Sequence, residues 1–154
     1  VDAQAAMEKM FGFQTHVASG VSSIWGVGQL ESEMTLSPAQ AVIDEEMIAF
    51  ARRYRRGVSA DEDSLAVEVT RSVGISGSFL DQDHTLRNFR RELHFPGLLL
   101  RDRRWAWAQQ GSRPLEQVAQ EKADQLLAQA APGGKLSEGQ CREMDKILKR
   151  FEPP

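Results

Sequence analysis

The chain has 154 residues, 41% of them hydrophobic and 27% charged, which is enough apolar content for a folded core and too much for a disordered segment. Its formal charge of −3 argues against a general polyanion binder, although arginines gather at Arg52, Arg53, Arg55 and Arg56 and again at Arg101, Arg103 and Arg104. One cysteine, Cys141, excludes an internal disulfide and a cysteine-only metal site, and there is no apolar run long enough to span a bilayer, so cytoplasm is the expected compartment.

Asp2-Ala3-Gln4-Ala5-Ala6-Met7-Glu8-Lys9-Met10 is helical in composition, with Asp2 placed as N-cap and Gly20 as the residue that closes the helix. Val1 in place of an initiator methionine is also what cleavage of a longer chain would leave. The apolar run Val21-Ser22-Ser23-Ile24-Trp25 then reads as a strand, broken at Gly26-Val27-Gly28 by a polar loop. One strand cannot satisfy its own N–H and C=O groups, and the rest of the chain reads as helix. The sequence therefore looks like part of a larger sheet protein.

Ser37-Pro38-Ala39-Gln40 opens the next helix, with Ser37 as N-cap, Pro38 at the first helical position and Gln40 placed to reach back to the cap. Val42, Ile43, Met47, Phe50, Ala51 and Tyr54 supply its apolar stripe. Asp44, Glu45 and Glu46 lie early and the four arginines late, as the helix dipole favours. Gly57 ends this helix, and Ser59-Ala60-Asp61-Glu62 forms a capping box for another, which Gly74 and Gly77 break.

A third helix starts at Asp81 or Asp83 and stops before Pro96; Trp105 and Trp107 fall in a short one closed by Gly111. Ser112 caps a segment whose apolar face is Leu115, Val118, Ala119, Leu126 and Leu127, and Ala131-Pro132-Gly133-Gly134 is a turn. The last helix begins at Ser137 with Gln140 completing its box, and Leu136 is expected to pack on a buried Cys141. The order of helix, strand and helix, followed by helices alone, fits the closing βα unit of an α/β fold with a helical extension. The boundary is expected at Gly57, with residues 1–57 in the closing βα portion and residues 58–154 in the extension.

Several of these segments together resemble the C-terminal part of the trimethylamine methyltransferase superfamily: Asp2-Ala3-Gln4-Ala5, the run through Gly28-Gln29-Leu30-Glu31-Ser32, and Val42-Ile43-Asp44-Glu45-Glu46. Gly77-Ser78-Phe79-Leu80, His84-Thr85-Leu86, Arg90-Arg91-Glu92 and Phe95-Pro96 extend the resemblance along nearly the whole chain. It implies a segment of a TIM (β/α)8 barrel whose missing strands carry most of the site, so that this piece alone is expected to be inactive. It also implies a methyl transfer from trimethylamine or a betaine-type quaternary amine to the cobalt of a corrinoid (cobalamin) held by a separate corrinoid protein. Methylamine members of that family carry pyrrolysine, and none occurs in this chain.

On that resemblance residues 26–31 form the loop at the C-terminal end of a late barrel strand, where barrel chemistry is done. Gly26 and Gly28 would bring backbone close to substrate or corrinoid, Trp25 would offer an aromatic wall to an onium cation, and Glu31 would balance its charge or hydrogen-bond the corrinoid. Each has a plainer reading: glycines that only turn the chain, a packing tryptophan and a solvated glutamate. His84 is expected in the capping network of its helix, and Asp61-Glu62-Asp63 is a helix start with no calcium-loop pattern. Catalytic residues are not identified, no metal site is expected, and the orphan strand's open edges imply association into a homo-oligomer. A non-catalytic helical protein-interaction module anchored by Trp105 and Trp107 is the alternative, while membrane and nucleic acid are not expected partners.

Overall fold

The computed structural model describes residues 1–130 and 136–151; the turn expected at residues 131–134 lies outside them. Two compact units divide the chain, residues 1–123 and 124–154.

The first unit is built on two helices packed side by side, α1 (Ala3–Ala18) and α2 (Pro38–Arg56). Their ends form as their residues dictate. The Asp2 carboxylate accepts the Ala5 N–H, and at the other end the N–H groups of Gly20 and Val21 reach the carbonyls of Val17 and His16, the paired bonds that close a helix on a left-handed glycine. Ser37 caps α2 through the Gln40 N–H, with Pro38 at the first helical position.

Between these helices the expected strand does not form. Residues 21–25 pair with no other strand among the described residues, and Val21 and Trp25 are exposed. The ladder forms later, as a two-stranded antiparallel hairpin of β1 (Gln29–Leu30) and β2 (Thr35–Leu36). A run with strand composition still needs a partner for its N–H and C=O groups, and here only the hairpin finds one.

Beyond α2 lie α3 (Glu62–Leu65), α4 (Val67–Val73), α5 (Asp83–Glu92), α6 (Arg104–Gln109) and the first turns of α7 (Leu115–Gln129). Asp61, not Ser59, caps α3, and Ala66 at φ +48° divides it from α4. The arginines late in α2 do more than offset its dipole. Arg53 and Arg56 donate to the Glu92 carboxylate at 3.4 and 3.2 Å, and Arg53 also to the Glu92 carbonyl, tying the end of α5 to α2. Glu46 accepts the N–H groups of Gly97 and Leu98, which brings Leu98 against the core of Ala39, Ile43 and Ala119.

That core is thin, and much apolar surface stays open. A groove of about 1140 Å3 is lined by Met7, Met10, Phe11, Met47, Phe50 and Tyr54 among others, with Phe11 77% and Tyr54 73% exposed. The stripe expected on α2 is therefore half right. Ile43 and Ala51 are buried as expected, Tyr54 is not, and the buried face also holds Ile48 and a carboxylate, Asp44.

In the second unit, α8 (Glu138–Leu148) starts with the expected capping box, the Ser137 hydroxyl receiving the Gln140 N–H and the Gln140 side chain receiving the Ser137 N–H. Cys141 is exposed rather than buried, because Met144, Ile147 and Leu148 on this helix are themselves exposed and give it no apolar shelter. No helix among the described residues is long and apolar enough to cross a membrane.

Candidate functional site

The loop between α1 and β1 is held from both sides. Asp44, fully buried on α2, accepts three hydrogen bonds at 2.7 Å: from Lys9 Nζ and the Gly28 N–H on Oδ2, and from Gln40 Nε2 on Oδ1. Lys9, on α1, also donates to the Gly26 carbonyl at 2.6 Å. One ion pair therefore grips both ends of the Gly26-Val27-Gly28 turn, and both oxygens of the buried carboxylate have a donor. Gln40 does not reach back to its own cap as expected, because the Ser37 N–H it would receive goes to the Gly28 carbonyl, and its amide N–H is donated to Asp44 instead.

The two glycines differ in role. Gly28 is buried at φ +75°, and a Cβ there would meet Ala41 Cβ at 3.0 Å, Leu36 Cδ1 at 3.1 Å and the Ser37 carbonyl at 3.3 Å. Its bareness serves the close seating of the loop on α2, and its N–H is already spent on Asp44. Gly26, at φ +89°, is less confined: a Cβ there would meet only Gln29 Oε1, at an ordinary contact distance of 3.9 Å.

Gly26 lies in the wall of a cavity of about 380 Å3 between α1 and the loop, together with Trp25 and Glu31. Gly28 is not among its lining residues; the structure brings Trp25, Gly26 and Glu31 together and sets Gly28 behind them. The Trp25 indole N–H donates to Glu33 Oε1 at 2.8 Å, which fixes an otherwise 69% exposed ring, and Glu31 Oε2 accepts the Thr35 hydroxyl at 2.8 Å. Three consecutive non-glycine residues of the hairpin loop, Glu31, Ser32 and Glu33, hold φ of +52°, +49° and +73°. Left-handed backbone of this kind costs about 1–2 kcal/mol per residue, and such strain persists only where surroundings impose it.

Several residues of this site escape a reading of the sequence. Glu8, His16, Gln29 and Glu33 also line the cavity, and His16 Nδ1 and Gln29 Oε1 are buried without hydrogen-bond partners. The spacing of Ala5, Lys9, Gly12 and His16 marks one face of α1 and is the signal that could have found them. Lys9 and Asp44 give no signal, since 35 positions separate them. His84 is elsewhere: its Nε2–H donates to the Asp63 carbonyl at 2.7 Å, so it secures the start of α3 rather than its own helix. Among the described residues there is no cluster of His, Cys, Asp or Glu able to hold a metal ion.

The Trp25 indole and three carboxylates, from Glu8, Glu31 and Glu33, share this lining with one ammonium already paired with Asp44, which leaves an excess of negative charge on the cavity wall. Comparison with known proteins gives the chain its family. A family model described as trimethylamine methyltransferase matches residues 1–150. The chain is 36% identical over 132 residues to trimethylamine methyltransferase MttB of Desulfitobacterium hafniense (strain DSM 10664 / DCB-2), covering 85% of this chain and 26% of that protein. It is 36% identical over 129 residues to trimethylamine methyltransferase MttB of Methanosarcina barkeri (strain Fusaro / DSM 804), covering 82% and 25%. With the glycine betaine methyltransferase of Desulfitobacterium hafniense (strain Y51) it shares 33% identity over 133 residues, 86% of this chain and 28% of that protein. The chain belongs to the trimethylamine methyltransferase family, and it spans about a quarter of the length of these relatives.

Proposed function

We propose that this chain is part of a corrinoid-dependent methyltransferase and that it holds a methylated amine, trimethylamine or a betaine-type quaternary amine, while a methyl group passes to a corrinoid on a partner protein. The observation that carries the reading is the strained Glu31-Ser32-Glu33 turn beside Trp25, seated on a glycine turn that Lys9 and Asp44 grip. Strain held in place around an aromatic and acidic cavity is what a preorganised cation site requires. A space of about 380 Å3, open to solvent, is large enough for a small methylated amine.

The charges decide how catalysis is divided. A methylammonium nitrogen loses its positive charge as the methyl leaves, so attraction to Glu31 and Glu33 favours the bound substrate more than the transition state. Rate must then come from alignment: the methyl carbon held in line between nitrogen and acceptor, with proximity lowering the barrier. On this reading residues 1–57 are the closing βα portion of a TIM barrel and residues 58–154 its helical extension; the remainder of the barrel covers the apolar groove, and the enzyme works as a cytoplasmic homo-oligomer. A helical interaction module would account for the groove but not for the strained loop.

In the intact enzyme, Trp25→Ala is expected to lower kcat/KM for methyl transfer by about 2- to 30-fold, the range of one aromatic–cation contact, with Trp25→Phe retaining most activity. Glu31→Gln is expected to raise KM and to leave kcat at or above its starting value, because the lost attraction is weaker in the transition state than in the bound substrate. If Trp25→Ala and Glu31→Gln both leave kcat and KM unchanged, the cavity does not bind the amine.

A further inference from the structure

We propose that Lys9 and Asp44 are positioning residues of this site, acting through the Gly26-Val27-Gly28 turn rather than touching substrate. This rests on the functional reading above and extends it to Lys9, which stands in the cavity wall with its ammonium committed to the turn and to Asp44, and to Asp44 behind the wall. An ion pair that only joined α1 to α2 would need no more than the 2.7 Å contact between Lys9 Nζ and Asp44 Oδ2. Instead each partner spends a second bond on loop backbone, Lys9 on the Gly26 carbonyl and Asp44 on the Gly28 N–H. The turn is two peptide units long, so fixing a carbonyl at one end and an N–H at the other leaves it little freedom.

The residues on either side of the turn inherit that constraint. Trp25 immediately precedes the gripped carbonyl, and Gln29 and Leu30, immediately after the gripped N–H, form the strand that leads into Glu31. The Ser37 N–H bonds to the Gly28 carbonyl at 2.8 Å, so the far end of the hairpin returns to the same anchored residue. With both feet of the hairpin set at Gly28, the left-handed turn of residues 31–33 has no room to relax, and the Glu33 carboxylate stays on the indole N–H. Gln40, buried and donating to Asp44 Oδ1, holds the carboxylate rotamer that makes this possible.

The test compares Lys9→Met, Asp44→Leu and the double variant Lys9→Met/Asp44→Leu. Thermal midpoint, kcat and KM for trimethylamine, and hydrogen exchange of the Gly28 amide, are all measured in the intact enzyme. Lys9→Met strands a buried carboxylate and lowers the midpoint; adding Asp44→Leu removes that orphan charge and restores part of the loss. The loop is not restored with it: in the double variant kcat stays at least about tenfold down, KM stays within about threefold, and Gly28 exchange is at least about tenfold faster than in the parent. Recovery of both midpoint and kcat in the double variant would show the pair to be a helix-packing contact and overturn the proposal. Gly28 exchange at the parent rate would overturn it as well. A parent enzyme that moves no methyl group from any methylated amine would refute the proposed function instead, and Gly28 exchange would still decide whether the pair holds the loop.

Discussion

Replacing Lys9 by methionine isolates the energetic weight of the buried charge. The Asp44 side chain is fully buried and Lys9 is 15% exposed, so the change leaves a carboxylate inside the protein without its cation. Removing one partner of a buried pair typically costs about 3–5 kcal/mol. Two donors remain on Asp44, the Gly28 N–H and Gln40 Nε2, which places the cost near the lower end, about 3 kcal/mol. Methionine keeps the aliphatic stem but loses the ammonium 5.5 Å from the buried Phe13 ring centre, a contact worth about 1–2 kcal/mol at a mostly desolvated site. For a chain of this length about 3 kcal/mol corresponds to a fall in Tm of about 6–12 °C. Urea unfolding followed by circular dichroism, with calorimetry for Tm, measures it. Arg71→Met is the control: Arg71 and Glu68 are 70% and 77% exposed, and breaking such a surface pair costs under about 1 kcal/mol. A Lys9→Met cost no larger than the Arg71→Met cost would refute the argument that Asp44 is a buried, pair-dependent charge.

Two further outcomes are expected from the same geometry. Gly28→Ala should destabilise by about 1–3 kcal/mol, combining overpacking against Ala41 and Leu36 with a left-handed φ, whereas Gly26→Ala carries only the backbone cost of about 1–2 kcal/mol; equal losses by urea titration would show that Gly28 is not a packing glycine. Hydrogen bonding from Arg91, together with the charges of Arg56 and Arg53, holds the Glu92 carboxyl below its ordinary value. A group depressed in the folded state contributes stability that is present above the unfolded glutamate pKa and lost as pH falls through the lower folded value. Glu92→Gln should therefore flatten the acid side of the stability curve and converge with the parent at the lowest pH, and parallel curves would rule out that linkage.

Helix ends are the most legible part of this sequence. Asp2, Ser37 and Ser137 cap their helices as expected, and Gly20 closes α1, because capping is a contest between a side chain and an orphan N–H only three residues away. Residues 21–25 mislead for the opposite reason. Their composition suits a strand, but a ladder depends on a partner elsewhere, and the hairpin at Gln29–Leu30 and Thr35–Leu36 is the pairing this chain offers. Of the candidate site, Trp25, Gly26 and Glu31 are legible from one loop because they are neighbours in sequence as well as in space. Asp44, by contrast, looks like one of three acids placed for the helix dipole. Nothing in a run of Asp44-Glu45-Glu46 says which carboxylate turns inward, and only the packing of α1 on α2 selects the one that meets Lys9. The left-handed backbone of Glu31, Ser32 and Glu33 is equally invisible, since none of these residue types announces positive φ as glycine does.

Methyl transfer from an amine is the activity at stake, and the most direct measurement is the transfer itself. The intact enzyme is mixed with a reduced corrinoid protein and offered trimethylamine, glycine betaine and a methylated donor without nitrogen, and methylation of the corrinoid is followed by its absorbance. The expected results are transfer from a methylated amine, none from the nitrogen-free donor, and a loss of rate with Trp25→Ala. Transfer that ignores the nitrogen, or no transfer from any methylated amine, would contradict the proposed function.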